Sequence, residues 1–316
     1  MTVPRSFRRT MVLAMLAAAV RLEAQRLPSV PSLQTGQALV YRLDLSGSRS
    51  TKVESQLTTP QSPPREDLNA QGLIQVEVPE AGAKGFRLKT YFSDRRSAQP
   101  SSNAPETQVS SPDRLVEVFI ASDGIASQIK GFADLGPAQQ IAWTAWLNRF
   151  TSLMTFPKRG VRPGQRWKIS EREASPSPIA GLFWERRYEY VKQEACGSPA
   201  KGPAGGGVDH SRPSADTCAV IFVHAQLGQK SSPKDSTPQD YRLRGLKTAG
   251  RASGTNSTIL YISLKTGLLV RATEEIEQEM DATVALADGS NRVRYLVEAK
   301  SRSQIELLPD VPREIR

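Results

Sequence analysis

The segment LVYRLDL, residues 39–45, places Leu39, Tyr41, Leu43 and Leu45 in alternation with Val40, Arg42 and Asp44. Successive side chains of a strand point to opposite faces, so this period of two predicts a strand with one dry face and one wet face. The pattern recurs. Ile74, Val76 and Val78 alternate with Gln75 and Glu77, and Phe86, Leu88, Thr90 and Phe92 alternate with Arg87, Lys89 and Tyr91. Runs at 115–121, 182–195, 217–227, 258–264 and 268–286 continue it. Asp123-Gly124 and Lys265-Thr266-Gly267 each separate two such runs, as hairpin turns do. The expected fold is mainly β, a strongly curved antiparallel meander or partial barrel forming a single domain over 25–316.

One segment departs from this period. Between Pro137 and Met154 the residues Trp143, Trp146, Leu147, Phe150, Leu153 and Met154 recur three or four apart, which predicts an amphipathic helix. Pro137 suits a first helical position, and Pro157 ends the helical stretch. The helix is expected on the concave side of the sheet. Its stripe of Trp143, Trp146, Phe150 and Met154, with Leu153 at the margin, is the candidate ligand-facing surface, and filling the core is the simpler role for it. Polar stretches at 59–68, 94–112, 197–217 and 228–238 read as long mobile loops.

The N-terminus carries Arg5, Arg8 and Arg9 ahead of an apolar run from Met11 to Val20. This order reads as a signal peptide over 1–24, and the run is too short to span a membrane. The mature protein is therefore expected in the periplasm or outside the cell, with no transmembrane span. The net charge of +10 is dispersed along the chain. That favours loose attraction to an anionic envelope surface, and no nucleic-acid module is present.

Cys196 and Cys218 are the two cysteines of the chain. Metal ligation by them would need further ligands, and only His210 lies near in sequence. In an exported protein a disulfide closing the base of the intervening Gly-Pro loop is expected instead. No metal and no cofactor are expected.

Catalytic signatures are weak. Ser127-Gln-Ile-Lys130 fits S-x-x-K and Lys265-Thr266-Gly267 fits K-T-G, but the first lies in an expected strand and the second at a hairpin tip. G-x-S-x-G, H-E-x-x-H, P-loop and G-x-G-x-x-G strings are lacking. His224, in phase with Val220 and Phe222, is expected as a half-buried structural residue. The acidic run Glu274, Glu275, Glu277, Glu279 and Asp281 is expected on a strand paired with 293–307. With Gly289-Ser290 as the turn, Glu279 would face Lys300, Glu277 would face Arg302, Val284 would face Tyr295 and Leu286 would face Val293. Asn256-Ser-Thr fits a glycosylation sequon. No catalytic residue is assigned.

PKRGVRPGQRWKIS (157–170), together with YISLKTGLLVRATEE (261–275), resembles uncharacterised exported bacterial β-rich proteins, in which a V-x-x-G-x-x-W step opens a strand. In outline the chain is also similar to the curved, unclosed barrels of periplasmic lipoprotein carriers. That likeness implies an apolar ligand cradled against a helix, and it is architectural alone. The expected role is non-catalytic: binding of an apolar or amphiphilic envelope ligand, or structural support of the envelope. A hydrolase-type enzyme whose site only the fold assembles, and a protein-interaction module using the loops, are the alternatives. N-terminal sequencing of exported protein should begin near Gln25, and an intact Met1 would show that no leader is removed.

Overall fold

The computed structural model describes residues 26–28, 30–55, 65–94, 114–173, 177–197 and 216–309. The expected leader, His210 and most of the polar stretches 94–112 and 197–217 lie outside the described residues. Eleven strands form one antiparallel sheet. They are β1 (Ala38–Ser55), β2 (Glu66–Gly82), β3 (Gly85–Asp94), β4 (Arg114–Ala121), β5 (Ala126–Lys130), β6 (Arg166–Arg172), β7 (Leu182–Ala195), β8 (Thr217–Gln229), β9 (Leu246–Ser263), β10 (Leu269–Leu286) and β11 (Val293–Leu307). Helix α1 (Pro137–Phe150) joins β5 to β6, and the short α2 (Gln239–Leu243) precedes β9.

The spatial order is β5-β4-β3-β2-β1-β11-β10-β9-β8-β7-β6. Neighbours are consecutive in sequence except where β1 pairs with β11, so the first and last strands form the spine of the sheet. The two free edges, β5 and β6, are the consecutive strands that α1 separates. The sheet does not close.

Alternation dictates which face is dry. Tyr41, Leu43, Ile74, Val76, Leu88, Val118, Ile120, Ile221, Leu260 and Ile305 are all buried on the inner face, and α1 packs against them in one core. The helix starts where expected: Pro137 is its first residue, and the Gln139 side chain accepts the Gly136 N–H at 3.0 Å. It ends at Phe150, four residues earlier than the apolar spacing predicts, and a tighter 3₁₀ turn over Ser152–Thr155 carries Leu153 and Met154.

The aromatic stripe interdigitates with the sheet. Trp146 sits 5.9 Å from the ring of Tyr41 and stacks on Phe150 at 5.1 Å. Phe150 meets Phe86 edge-on, and Trp143 Nε1 donates to Thr90 Oγ1 at 2.9 Å. The buried Tyr41 hydroxyl donates to the Leu269 carbonyl, and burial pushes its pKa well above the usual phenol range.

Three expectations change in detail. The β10–β11 pairing is shifted by two residues: Glu277 faces Lys300, Glu275 faces Arg302, Glu279 faces Glu298 and Val284 faces Val293. The connecting turn is wider than a two-residue hairpin, with the Leu286 N–H bonded to the Ser290 carbonyl and Asn291 at φ 52°. A slip of two leaves every side chain on its expected face. Second, β1 and β9 run far into polar sequence, to Ser55 and back to Leu246. Third, the polar stretches at 59–68 and 228–238 give residues to strands: β2 begins at Glu66 and β8 ends at Gln229.

Cys196 and Cys218 form a disulfide with Cα atoms 4.9 Å apart. They are diagonal rather than opposed. A bulge between Tyr190 and Lys192 sets Cys218 against Glu194, while the Cys196 N–H bonds to the Asp216 carbonyl. The V-x-x-G-x-x-W step is also a packing device. Gly164, at φ 82°, donates its N–H to the Tyr190 carbonyl, which starts β6 and lays Trp167 flat on Tyr188 at 5.1 Å.

Trp146→Ala should lower unfolding free energy by about 3–5 kcal/mol, because a fully buried indole leaves a cavity that its aromatic neighbours cannot fill. Denaturant midpoints with unchanged slope would show it, and a loss under about 1 kcal/mol would show that the stripe is not core.

Candidate binding hollows on the two faces of the sheet

The core stripe of α1 covers the part of the inner face formed by β1–β4. Trp143, Trp146, Phe150 and Met154 all lie within that core and are buried. The opposite side of the helix, with Ile141, Thr144, Ala145 and Asn148, lines an inner cleft of about 880 Å³. Residues 141, 144 and 148 are exposed, and their spacing puts them on one helical stripe.

Across the cleft stand inward-facing positions of β6, β7, β9 and β10, and these break the apolar pattern with charge. Arg149 and Glu274 form a buried ion pair, and the Arg149 Nε donates to Glu274 Oε2 at 3.3 Å. Asn256 Nδ2 donates to the other Glu274 oxygen at 2.6 Å, and Thr258 donates to Asn256. Ser303 Oγ also donates to Glu274. Burial, with the nearby Arg186 guanidinium as the second cause, pushes Arg149 down to about 10, so it remains charged at neutral pH. Next to it, Arg186 Nε donates to Glu171 at 2.9 Å and Trp184 Nε1 donates to Glu173 at 2.6 Å, both diagonal across the β6–β7 pair. Burial also raises the Tyr188 pKa, against the lowering effect of Arg186.

These residues are legible in hindsight as parity faults. Arg186 interrupts the inward series Leu182, Trp184, Tyr188, Tyr190, and Glu274 follows the buried Ala272 on the same face. The acidic run therefore divides: Glu274 points in, while Glu275, Glu277 and Glu279 are exposed on the other face. Asn256, the sequon asparagine, is buried and spent on Glu274.

The outer face carries a second hollow of about 940 Å³ over β6–β11. Its floor is Phe222, which is 46% exposed, with Ile259 directly opposite on β9. Its rim holds Arg166, Lys168, Arg187, His224 and Arg302, with Glu189 and Glu275. Arg166 pairs with Glu189 and Arg302 with Glu275, whereas Lys168 and Arg187 share the one carboxylate of Glu185 at 3.3 and 3.0 Å. The rim therefore keeps an excess of positive charge. His224 is exposed here rather than half-buried. In the wholly apolar stretch 218–223 the period is ambiguous, and Ala219, Ile221 and Val223 take the inner face.

Ser127 and Lys130 lie on β5, with five strands between them and the β10 side of the Lys265-Thr266-Gly267 hairpin, so the two strings form no common site. Among the described residues, no three His, Cys, Asp or Glu side chains could hold a metal ion, and no helix is long and apolar enough to cross a membrane.

No protein-family profile and no curated protein matches the chain. Among solved structures it is similar to the outer membrane protein OprG from Pseudomonas aeruginosa, at 9% identity and a TM-score of 0.21, over 89% of this chain and 99% of that one. It is also similar to Ail, the attachment invasion locus protein of Yersinia pestis, at 6% identity and a TM-score of 0.13, over 86% and 99%. Similarity at this level transfers neither fold nor function.

Glu274→Gln should cost about 3–5 kcal/mol of stability, because Arg149 would remain buried without a counter-charge. Glu277→Gln, which loses an exposed partner of Lys300, should cost less than about 1 kcal/mol. Equal losses in chemical denaturation would show that the buried pair carries no special weight.

Proposed function

We propose that the protein is an exported, non-catalytic binding protein that takes an amphiphile with an anionic head in the hollow of its outer face. The observation that carries this reading is an apolar floor of exposed Phe222 and half-buried Ile259 inside a rim with surplus cations. An apolar floor gains from covering an alkyl chain, and Lys168 and Arg187 have charge left over for a carboxylate or phosphate. Export is supported by the basic-then-apolar N-terminus and by the Cys196–Cys218 disulfide, a bond suited to an oxidising compartment. The non-catalytic reading is supported in the inner cleft by Glu274, Glu171 and Glu173. Each already accepts a hydrogen bond from Arg149, Arg186 or Trp184, so these carboxylates are engaged in holding the cleft wall together.

A dansyl-labelled fatty acid titrated into purified protein should show saturable binding, weakened by added salt. Phe222→Ala should weaken it about tenfold, the effect of losing roughly 1.5 kcal/mol of apolar contact. It should leave the melting temperature unchanged, since the ring is half exposed. Arg187→Gln should reduce both the affinity and its salt dependence. Non-saturable binding, or an unchanged Phe222→Ala, would leave a structural role as the function.

A further inference from the structure

The inner cleft is a different kind of site from the outer hollow. Three cations (Arg149, Arg172, Arg186) and three carboxylates (Glu171, Glu173, Glu274) line it. Arg149 is paired with Glu274 and Arg186 with Glu171, while Glu173 accepts from Trp184. A charged ligand would therefore meet no net field there. Unused hydrogen-bonding capacity is what remains. Arg186 Nη1 is buried without an acceptor, a state that costs free energy unless something supplies one. Across from it, α1 presents Thr144 and Asn148 exposed on its cleft side, and β10 adds Gln278.

We propose that this cleft binds a neutral polyhydroxylated ligand, a short oligosaccharide or similar polyol. Hydroxyl groups both donate and accept. They can give an acceptor to Arg186 Nη1, donate to the remaining lone pairs of the Glu171 carboxylate, and pair with the amide of Asn148. An anion would gain with the arginines and lose with the carboxylates beside them, whereas a neutral ligand suffers no such conflict. The cleft volume of about 880 Å³ is in the range of small-molecule sites and leaves room for two or three sugar rings. Its occupant lies on the opposite face of the sheet from the amphiphile hollow, with Tyr188 and Glu274 bordering both.

The test is a calorimetric and saturation-transfer NMR screen of the full protein against maltotriose, cellotriose and diacetylchitobiose, with inorganic phosphate and glucuronate as charged probes. At least one neutral sugar should bind saturably, with affinity unchanged by high salt. Asn148→Ala, at an exposed position that the fold does not need, should weaken binding about fivefold to tenfold, as loss of one hydrogen bond does. Arg186→Lys, which keeps a cation beside Glu171, should do the same, and Phe222→Ala should have no effect. Absence of saturable binding by every neutral sugar would overturn the proposal. So would tighter binding of phosphate or glucuronate, or an unchanged Asn148→Ala.

Discussion

A sheet eleven strands wide has far more inner surface than one helix of fourteen residues can cover. The rest of the structure depends on how the chain meets that constraint. The sheet curves so that β1–β4 wrap the aromatic side of α1, and apolar residues concentrate there. Because α1 is itself the link between the two free edges, the sheet stays open where a barrel would otherwise close. The hydrophobic effect rewards burial only where two surfaces meet, so the inner positions of β6 and β7 that α1 leaves bare are free to be polar.

Polarity at those positions still has to be satisfied. Glu274 and Arg149 neutralise each other deep between sheet and helix, and Asn256, Thr258 and Ser303 complete their hydrogen bonds. Such a pair is expensive to desolvate, and apolar residues of like volume would often serve stability as well. Its effect here is positional: it ties the C-terminal turn of α1 to β10, the far arm of the sheet from the stripe's aromatic contacts. The cleft beside it thus has one rigid wall on the helix and another on the strands.

The outer face shows the complementary logic. Solvated faces of antiparallel sheets are held by cross-strand charge pairs, and this one has them in Arg166–Glu189, Lys300–Glu277 and Arg294–Asp281. Exposed pairs add little stability individually. Phe222 and Ile259 stand out against that background because nothing in the fold requires them there.

Reading the chain residue by residue establishes the strands, the helix, the concave placement of its stripe and the pairing of the cysteines. The strands and the helix depend on local periodicity and on turn residues such as Asp123-Gly124, which act over a few positions, whereas the pairing of cysteines 22 positions apart follows from the expected oxidising compartment. Polar extensions of β1 and β9 escape such a reading, because Ser46–Ser55 and Leu246–Ser257 have almost no apolar member to mark a face. Their neighbours supply the pairing instead. The two hollows are a matter of tertiary structure alone. Arg149, Arg186 and Glu274 are separated by 37 or more positions and carry no motif; they become a site because α1 packs on β1, β2 and β10, strands from both sides of the β1–β11 pairing. Phe222 looks like any core residue until the register of β8 turns Ile221 and Val223 inward, because a stretch as uniformly apolar as 218–223 does not by itself mark which face the fold will bury.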